Sequence, residues 1–134
     1  MGSKKRSKPQ TQLGRVELEV MKVVWTKGQA TVHEVKEALG RGRKPAYTTV
    51  LTTMRNLEQK GYLKHTTEGR TYLYRPAVEK ESVTQNLLGD LMDRLFEGSP
   101  VRLVNHLLDC ETMSRDELGE LSSLLDEHRK KKDG

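Results

Sequence analysis

The feature that most narrows the fold is a helix-period stretch running directly into a strand-period stretch, over residues 45–75. Val50, Met54 and Leu57 recur at i, i+4 and i+7, which places them on one side of a helix. Thr48, Thr52, Arg55 and Gln59 fall on the opposite side, and Glu58 projects from the flank, so the outer face holds no carboxylate. Lys60 and Gly61 close this helix by charge and by backbone freedom. Residues 62–75 then read as a hairpin, with Tyr72 and Tyr74 favouring strand and Glu68 and Gly69 supplying the turn. A helix with a small polar outer face, followed at once by a basic hairpin, is the layout of a winged helix that reads DNA.

The chemistry of the outer face supports that layout. A solvated helix face normally mixes Glu with Lys. Thr, Asn, Gln and Arg instead offer donors and acceptors to base edges, and the threonine methyl groups suit thymine. Threonine is a poor helix former, so exposed threonines on one helix argue for a task other than stability. The plain alternative is a polar surface helix that is rich in Thr by chance.

Charge is divided along the chain. Residues 1–76 carry 16 Lys/Arg against 6 Asp/Glu, and residues 77–134 carry 8 against 13, so +10 and −5 sum to the net +5. A basic half beside an acidic half suggests polyanion binding confined to one end. No long apolar run or basic amphipathic helix supports membrane insertion, and the basic N-terminus lacks the hydrophobic core of a secretory signal. The single cysteine, Cys110, excludes an intrachain disulfide and fits a reducing cytosol.

The remaining segments fall into order around this centre. Residues 1–12 read as a disordered basic tail, with a phosphate-touching arm as the functional alternative. Residues 13–27 are helical by period, with Leu13, Val16, Val20 and Val24 on one face and Gly28 at the end. Thr31 and Glu34 match a capping box that starts a second helix, which turns Val32, Val35 and Leu39 inward and stops at Gly40. Arg41, Arg43 and Lys44 form a basic turn before the third helix, suited to phosphate contact or simply solvated. Trp25 reads as packing. Three helices and a two-stranded wing over residues 13–76 make a compact winged helix-turn-helix.

Beyond Pro76 the sign of charge changes and the pattern is helical throughout, so the fold class is mainly α. Val83, Leu87, Leu88, Leu91, Leu95 and Phe96 form one stripe; Ser99 and Pro100 look like an N-cap and first helical residue ahead of Val101, Val104, Leu107 and Leu108. A capping box at Ser114 and Glu117 leads into Leu118, Leu121, Leu124 and Leu125. A single copy has little chain in which to bury three such stripes, so residues 77–128 read as a helical dimerisation domain, with a basic tail at 129–134. The interface candidates are Leu88, Leu91, Leu95, Val104, Leu107, Leu108, Leu118, Leu121 and Leu125. The alternative is that these helices fold back on the N-terminal domain.

At this point the residues match a known pattern. LGRVELEVMKVVW (13–25), TVHEV (31–35), AYTTVLTTMRNLEQKGYL (46–63) and YLYRP (72–76) together resemble the penicillinase-repressor family, the BlaI/MecI-type bacterial repressors. The resemblance runs from about Leu13 to Leu125 and is most specific in the AYTTVL segment. It implies a cytoplasmic, nucleoid-associated homodimer that binds double-stranded DNA at a palindromic operator and blocks transcription. It places DNA reading on the third helix, with Thr48 and Thr49 as base contacts. Joined to the reading of the residues, the DNA-binding candidates are Arg43, Lys44, Tyr47, Thr48, Thr49, Thr52, Arg55, Lys64 and Arg70.

The resemblance also implies a mode of release. Some members are inactivated by proteolysis in the dimerisation region, triggered by a membrane sensor for β-lactams. The corresponding stretch here is residues 104–108, with the His106–Leu107 bond as the nearest match; this chain lacks the Asn-Phe pair of such members and carries Pro100 upstream. Another branch senses copper through paired cysteines, and Cys110 stands alone.

Catalysis and cofactor chemistry find little basis. His33, His65, His106 and His128 form no spaced pair of metal-ligand type, and there is no Gly-rich phosphate loop. Two functions of different class stay open: a dimeric repressor, and a winged-helix interaction or scaffold module that binds no DNA. A smaller third reading is a winged-helix sensor for a small molecule, to which no polar cluster points.

Overall fold

A computed structural model describes residues 13–40, 45–110 and 113–133. The chain runs α1 (Arg15–Lys27), α2 (Val32–Ala38), α3 (Tyr47–Gln59), β1 (Leu63–Glu68), β2 (Thr71–Pro76), α4 (Lys80–Leu95), α5 (Pro100–Asp109) and α6 (Arg115–Asp133). By packing it divides into two units at Leu87/Leu88.

The first unit is the winged helix. Its core gathers Val20, Met21 and Val24 from α1, Val32 and Val35 from α2, Val50, Met54 and Leu57 from α3, and Leu63 and Tyr74 from the hairpin. The inward stripe of α3 is the one its period predicts. On α1 the expected face is rotated slightly: Met21 is buried, while Val16 is 45% exposed. Leu39 packs at the edge of the core rather than within it. The capping box of α2 is formed, with Thr31 Oγ1 accepting from the Glu34 N–H at 3.1 Å and Glu34 Oε1 from the Thr31 N–H at 2.9 Å. Gly28 closes α1 at φ 85°, where its N–H reaches Val24 O at 2.8 Å; only glycine adopts that backbone without strain.

The hairpin is antiparallel, in a register from Leu63↔Pro76 to Glu68↔Thr71. That register leaves Gly69 and Arg70 as a two-residue loop, one position later than the Glu68–Gly69 turn expected from sequence. Gly69 has φ 65°, the left-handed first position of a II′-type hairpin turn. A third short strand element was not expected: Ala30, between α1 and α2, pairs with Tyr74 through two 2.9 Å hydrogen bonds. It stitches the hairpin to the helices.

Further ties fix the frame. Lys60, capping α3, places Nζ 2.8 and 2.9 Å from the two oxygens of Glu17 on α1. Trp25 packs against the core and donates from Nε1 to Val78 O at 3.0 Å. Val78, Val83 and Leu87 pack with the same core, so the packing break lies beyond Pro76, where the change of charge had placed it.

The second unit, from Leu88, holds the remainder of α4 with α5 and α6. Ser99 Oγ caps α5 by accepting from the Arg102 N–H at 3.1 Å, and Pro100 stands at the first helical turn. Ser114 and Glu117 form the second capping box, at 2.9 and 3.1 Å. α6 continues through Asp133, so the basic run expected as a tail from residue 129 is the helix's last turn, where Lys130, Lys131 and Lys132 meet the negative end of the dipole.

Candidate nucleic-acid interface

The candidate interface is built on α3 and the wing. Because α3 spends Val50, Met54 and Leu57 on the core, its far side carries Thr48, Thr52, Arg55 and Gln59, all exposed. Thr49 is also exposed, on the neighbouring flank, and its carbonyl accepts from Thr53 Oγ1 at 2.8 Å. Tyr47, Leu51 and Glu58, at i, i+4 and i+11, form the other flank.

Between that flank and the hairpin lies an open groove of about 580 Å³. Tyr47, Leu51 and Arg55 line one wall, and Arg70, Thr71, Tyr72 and Tyr74 line the other. His33, at the start of α2, closes one side. Among the described residues no carboxylate lines it, while the guanidinium groups of Arg55 and Arg70 approach it from opposite walls. The groove therefore attracts anions on electrostatic grounds and offers tyrosine faces as apolar walls.

The predicted contact residues divide into three groups. Tyr47, Arg55 and Arg70 converge on the groove, and Thr48, Thr49 and Thr52 stand on the adjoining exposed surface of α3. Lys64 is exposed but opposes Arg75, whereas Tyr74 opposes His65, so strand alternation turns Lys64 to the other face of the hairpin. Arg43 and Lys44 lie outside the described residues.

Other groups emerge only from the structure. His33, which carries no metal-ligand spacing in the sequence, borders the groove. His65 is spent internally, with Nδ1 2.8 Å from a Glu58 oxygen. Tyr72 is 44% exposed and stacks on the His65 ring, while Tyr74 is fully buried. Burial pushes the Tyr74 hydroxyl above its ordinary range, the charge of Glu58 adds to this, and Arg55 opposes it. That hydroxyl has no hydrogen-bond partner among the described residues.

The second unit presents a different surface. Among its described residues none is buried. Leu88, Leu91, Leu95, Leu107, Leu108, Leu118 and Leu125 are exposed, as are Val101 and Leu124, while Val104 and Leu121 are half-buried. Val101 at 76% and Leu95 at 64% mark the extreme. So much exposed leucine is unusual for a unit that works alone. The His106–Leu107 bond lies inside α5.

Comparison with known proteins agrees with the geometry. The family model described as penicillinase repressor matches residues 13–127. The penicillinase repressor of Bacillus licheniformis is 30% identical over 121 residues, covering 90% of this chain and 94% of that protein. The transcriptional regulator BlaI of Mycobacterium tuberculosis is 30% identical over 119 residues, covering 87% of this chain and 85% of that protein. Among solved structures, oxidized MarR from E. coli is similar in fold, with a TM-score of 0.51 at 16% identity, over 87% of this chain and 75% of that one. The acid-free outer face of α3, the basic groove beside it and the match over nearly the whole chain agree: the protein belongs to the penicillinase repressor family, a family of winged-helix transcriptional repressors and not of enzymes.

Proposed function

We propose that the chain represses transcription as a homodimer that sets the α3 helices of its two copies into successive major grooves of a palindromic operator. The observation that carries this reading is the surface of α3: Thr48, Thr52, Arg55 and Gln59 point outward without an acid among them, beside a groove lined by Arg55 and Arg70 and, among the described residues, by no carboxylate. Base edges are read by such side chains, with Arg55 suited to guanine and the threonines to either hydrogen-bonding edges or thymine methyl groups. Arg70 at the wing tip meets phosphate, which positions the helix without selecting sequence. Lys64, on the other face of the hairpin, adds to the cationic field rather than to the groove, and the charges of Arg43 and Lys44, just before α3 in the sequence, suit phosphate contact.

The exposed leucines of α4, α5 and α6 support pairing of two copies. A twofold axis buries the same patch from both sides and sets two α3 helices about one DNA turn, ~34 Å, apart. The site of action is the bacterial cytoplasm, at the nucleoid. Release by a sensor-triggered protease at His106–Leu107 requires local opening of α5, because that bond lies within a helix.

The test selects fragments of the host genome bound by the purified protein, then measures affinity for a selected duplex against salt. Enrichment of one palindrome, with an affinity that falls by roughly 10³-fold or more from ~50 to ~200 mM salt for ~6 phosphate contacts, supports the proposal. Weak binding with no preferred sequence favours the scaffold reading instead.

A further inference from the structure

We propose that Glu58, His65 and Tyr72 form a brace that sets the wing against α3, and that His65 adds to DNA affinity only through the wing-tip residue Arg70. The inference rests on the DNA-binding reading above and names what positions its second cation. The two walls of the groove come from different parts of the chain, so Arg55 and Arg70 keep a set separation only if the walls are tied together. One turn beyond Arg55 they are tied. His65 Nδ1 lies 2.9 Å from Glu58 Oε1 and 2.8 Å from Oε2. The same imidazole stacks on Tyr72, with ring centroids 4.0 Å apart and planes 9° from parallel.

The register shows how one ring does both. His65 opposes Tyr74, and Tyr72 opposes Thr67, so His65 and Tyr72 are diagonal neighbours on the hairpin face that turns toward α3. The nitrogen of His65 holds α3 while its ring holds β2. From Tyr72 the chain leads through Thr71 to Arg70, the residue at the tip. The brace therefore fixes the strand immediately behind the wing-tip guanidinium.

Two further observations favour positioning over stability. The side chains of His65 and Glu58 are 28% and 32% exposed, and a polar pair so near solvent adds little to folding. Glu58 is also the one acid of α3, on a helix whose other exposed groups suit a polyanion. Its pairing with His65 turns that carboxylate toward the hairpin and commits it to holding the wing.

The test is a double-mutant cycle on the full chain, using the duplex selected above and one salt concentration. His65→Ala and Arg70→Ala each weaken binding by roughly 3- to 10-fold, and the double variant is no weaker than Arg70→Ala within about 1.5-fold, because the contribution of His65 passes through Arg70. His65→Ala also lowers the salt slope by about one, as Arg70→Ala does; a loss of stability alone leaves the slope unchanged. Glu58→Ala behaves as His65→Ala, while Glu58→Gln, which keeps an acceptor, stays near wild type. Circular dichroism confirms folding, and Glu58→Ala carries the cycle in place of His65→Ala if the latter unfolds. Losses that multiply, no loss on breaking the brace, or no loss for Arg70→Ala overturn the proposal while the wild type still binds DNA. A wild type that binds no duplex overturns the DNA reading itself, and the brace's role with it.

Discussion

Replacing Leu107 with Asp tests the proposed pairing surface most sharply. Leu107 lies on α5 with 43% of its surface exposed, one turn from the half-buried Leu103 and Val104 on the same side of the helix. Fully burying a leucine is worth about 1.5–3 kcal/mol, so covering the exposed fraction contributes about 0.6–1.3 kcal/mol per copy. A twofold axis counts every residue twice, which gives roughly 1.3–2.6 kcal/mol for the pair. An unpartnered carboxylate in the contact adds at least about 1 kcal/mol per copy. The total exceeds ~3 kcal/mol, so the dimer dissociation constant rises by about 100-fold or more. Sedimentation velocity over a wide concentration range reads this directly. Because the side chain is already partly solvated, circular dichroism should be unchanged, and Leu107→Ala should show only the smaller packing loss. A Leu107→Asp protein with the wild-type dimer constant refutes the assignment of this face.

Three other outcomes follow from the winged unit. Arg55→Ala should cost about 1–3 kcal/mol at the operator and relax the choice of one base, read by competition with single-base variants of the duplex; equal loss on random DNA makes Arg55 a backbone contact. Tyr74→Phe removes a fully buried hydroxyl that has no partner among the described residues, so denaturant unfolding should show unchanged stability or a gain of about 1 kcal/mol, whereas a comparable loss reveals a partner. Burial alone raises the Glu17 carboxyl, but the Lys60 hydrogen bond, the Gly14 N–H and the Lys60 charge outweigh it and hold the carboxyl below its ordinary value of 4.5. Its contribution is therefore present above that value and lost as pH falls through the lowered one. The stability gap between wild type and Glu17→Gln should be largest near neutrality and close progressively in acid; a gap that widens in acid contradicts the pairing.

What could be read from sequence follows from whether each signal was local. Val50, Met54 and Leu57 carry a helical period, and Thr31/Glu34 and Ser114/Glu117 carry their caps within four residues, so these elements and their faces were legible. The outward threonines and Arg55 were legible for the same reason. What escaped depends on distant pairing. The Ala30–Tyr74 bridge joins residues far apart in the chain, and no local pattern marks Ala30 as strand. Glu58 was correctly set on the flank of α3, but its partner lies across the Gly61 turn on β1. The charge reversal at Pro76 is real, yet packing follows apolar contacts, and Val78, Val83 and Leu87 carry the first unit past it. Met21 in place of Val16 shows the limit of period alone, since the partners of a helix decide which edge of its stripe is covered.

The central claim is that α3 and the wing tip meet DNA, and amide chemical-shift mapping during titration with the selected duplex tests it most directly. The largest changes should fall on Thr48, Thr52, Arg55 and Gln59 and on Gly69 and Arg70, with the buried positions Val20 and Val24 of α1 little affected. Changes confined to α5 and α6, or none with any duplex at low salt, would contradict the account.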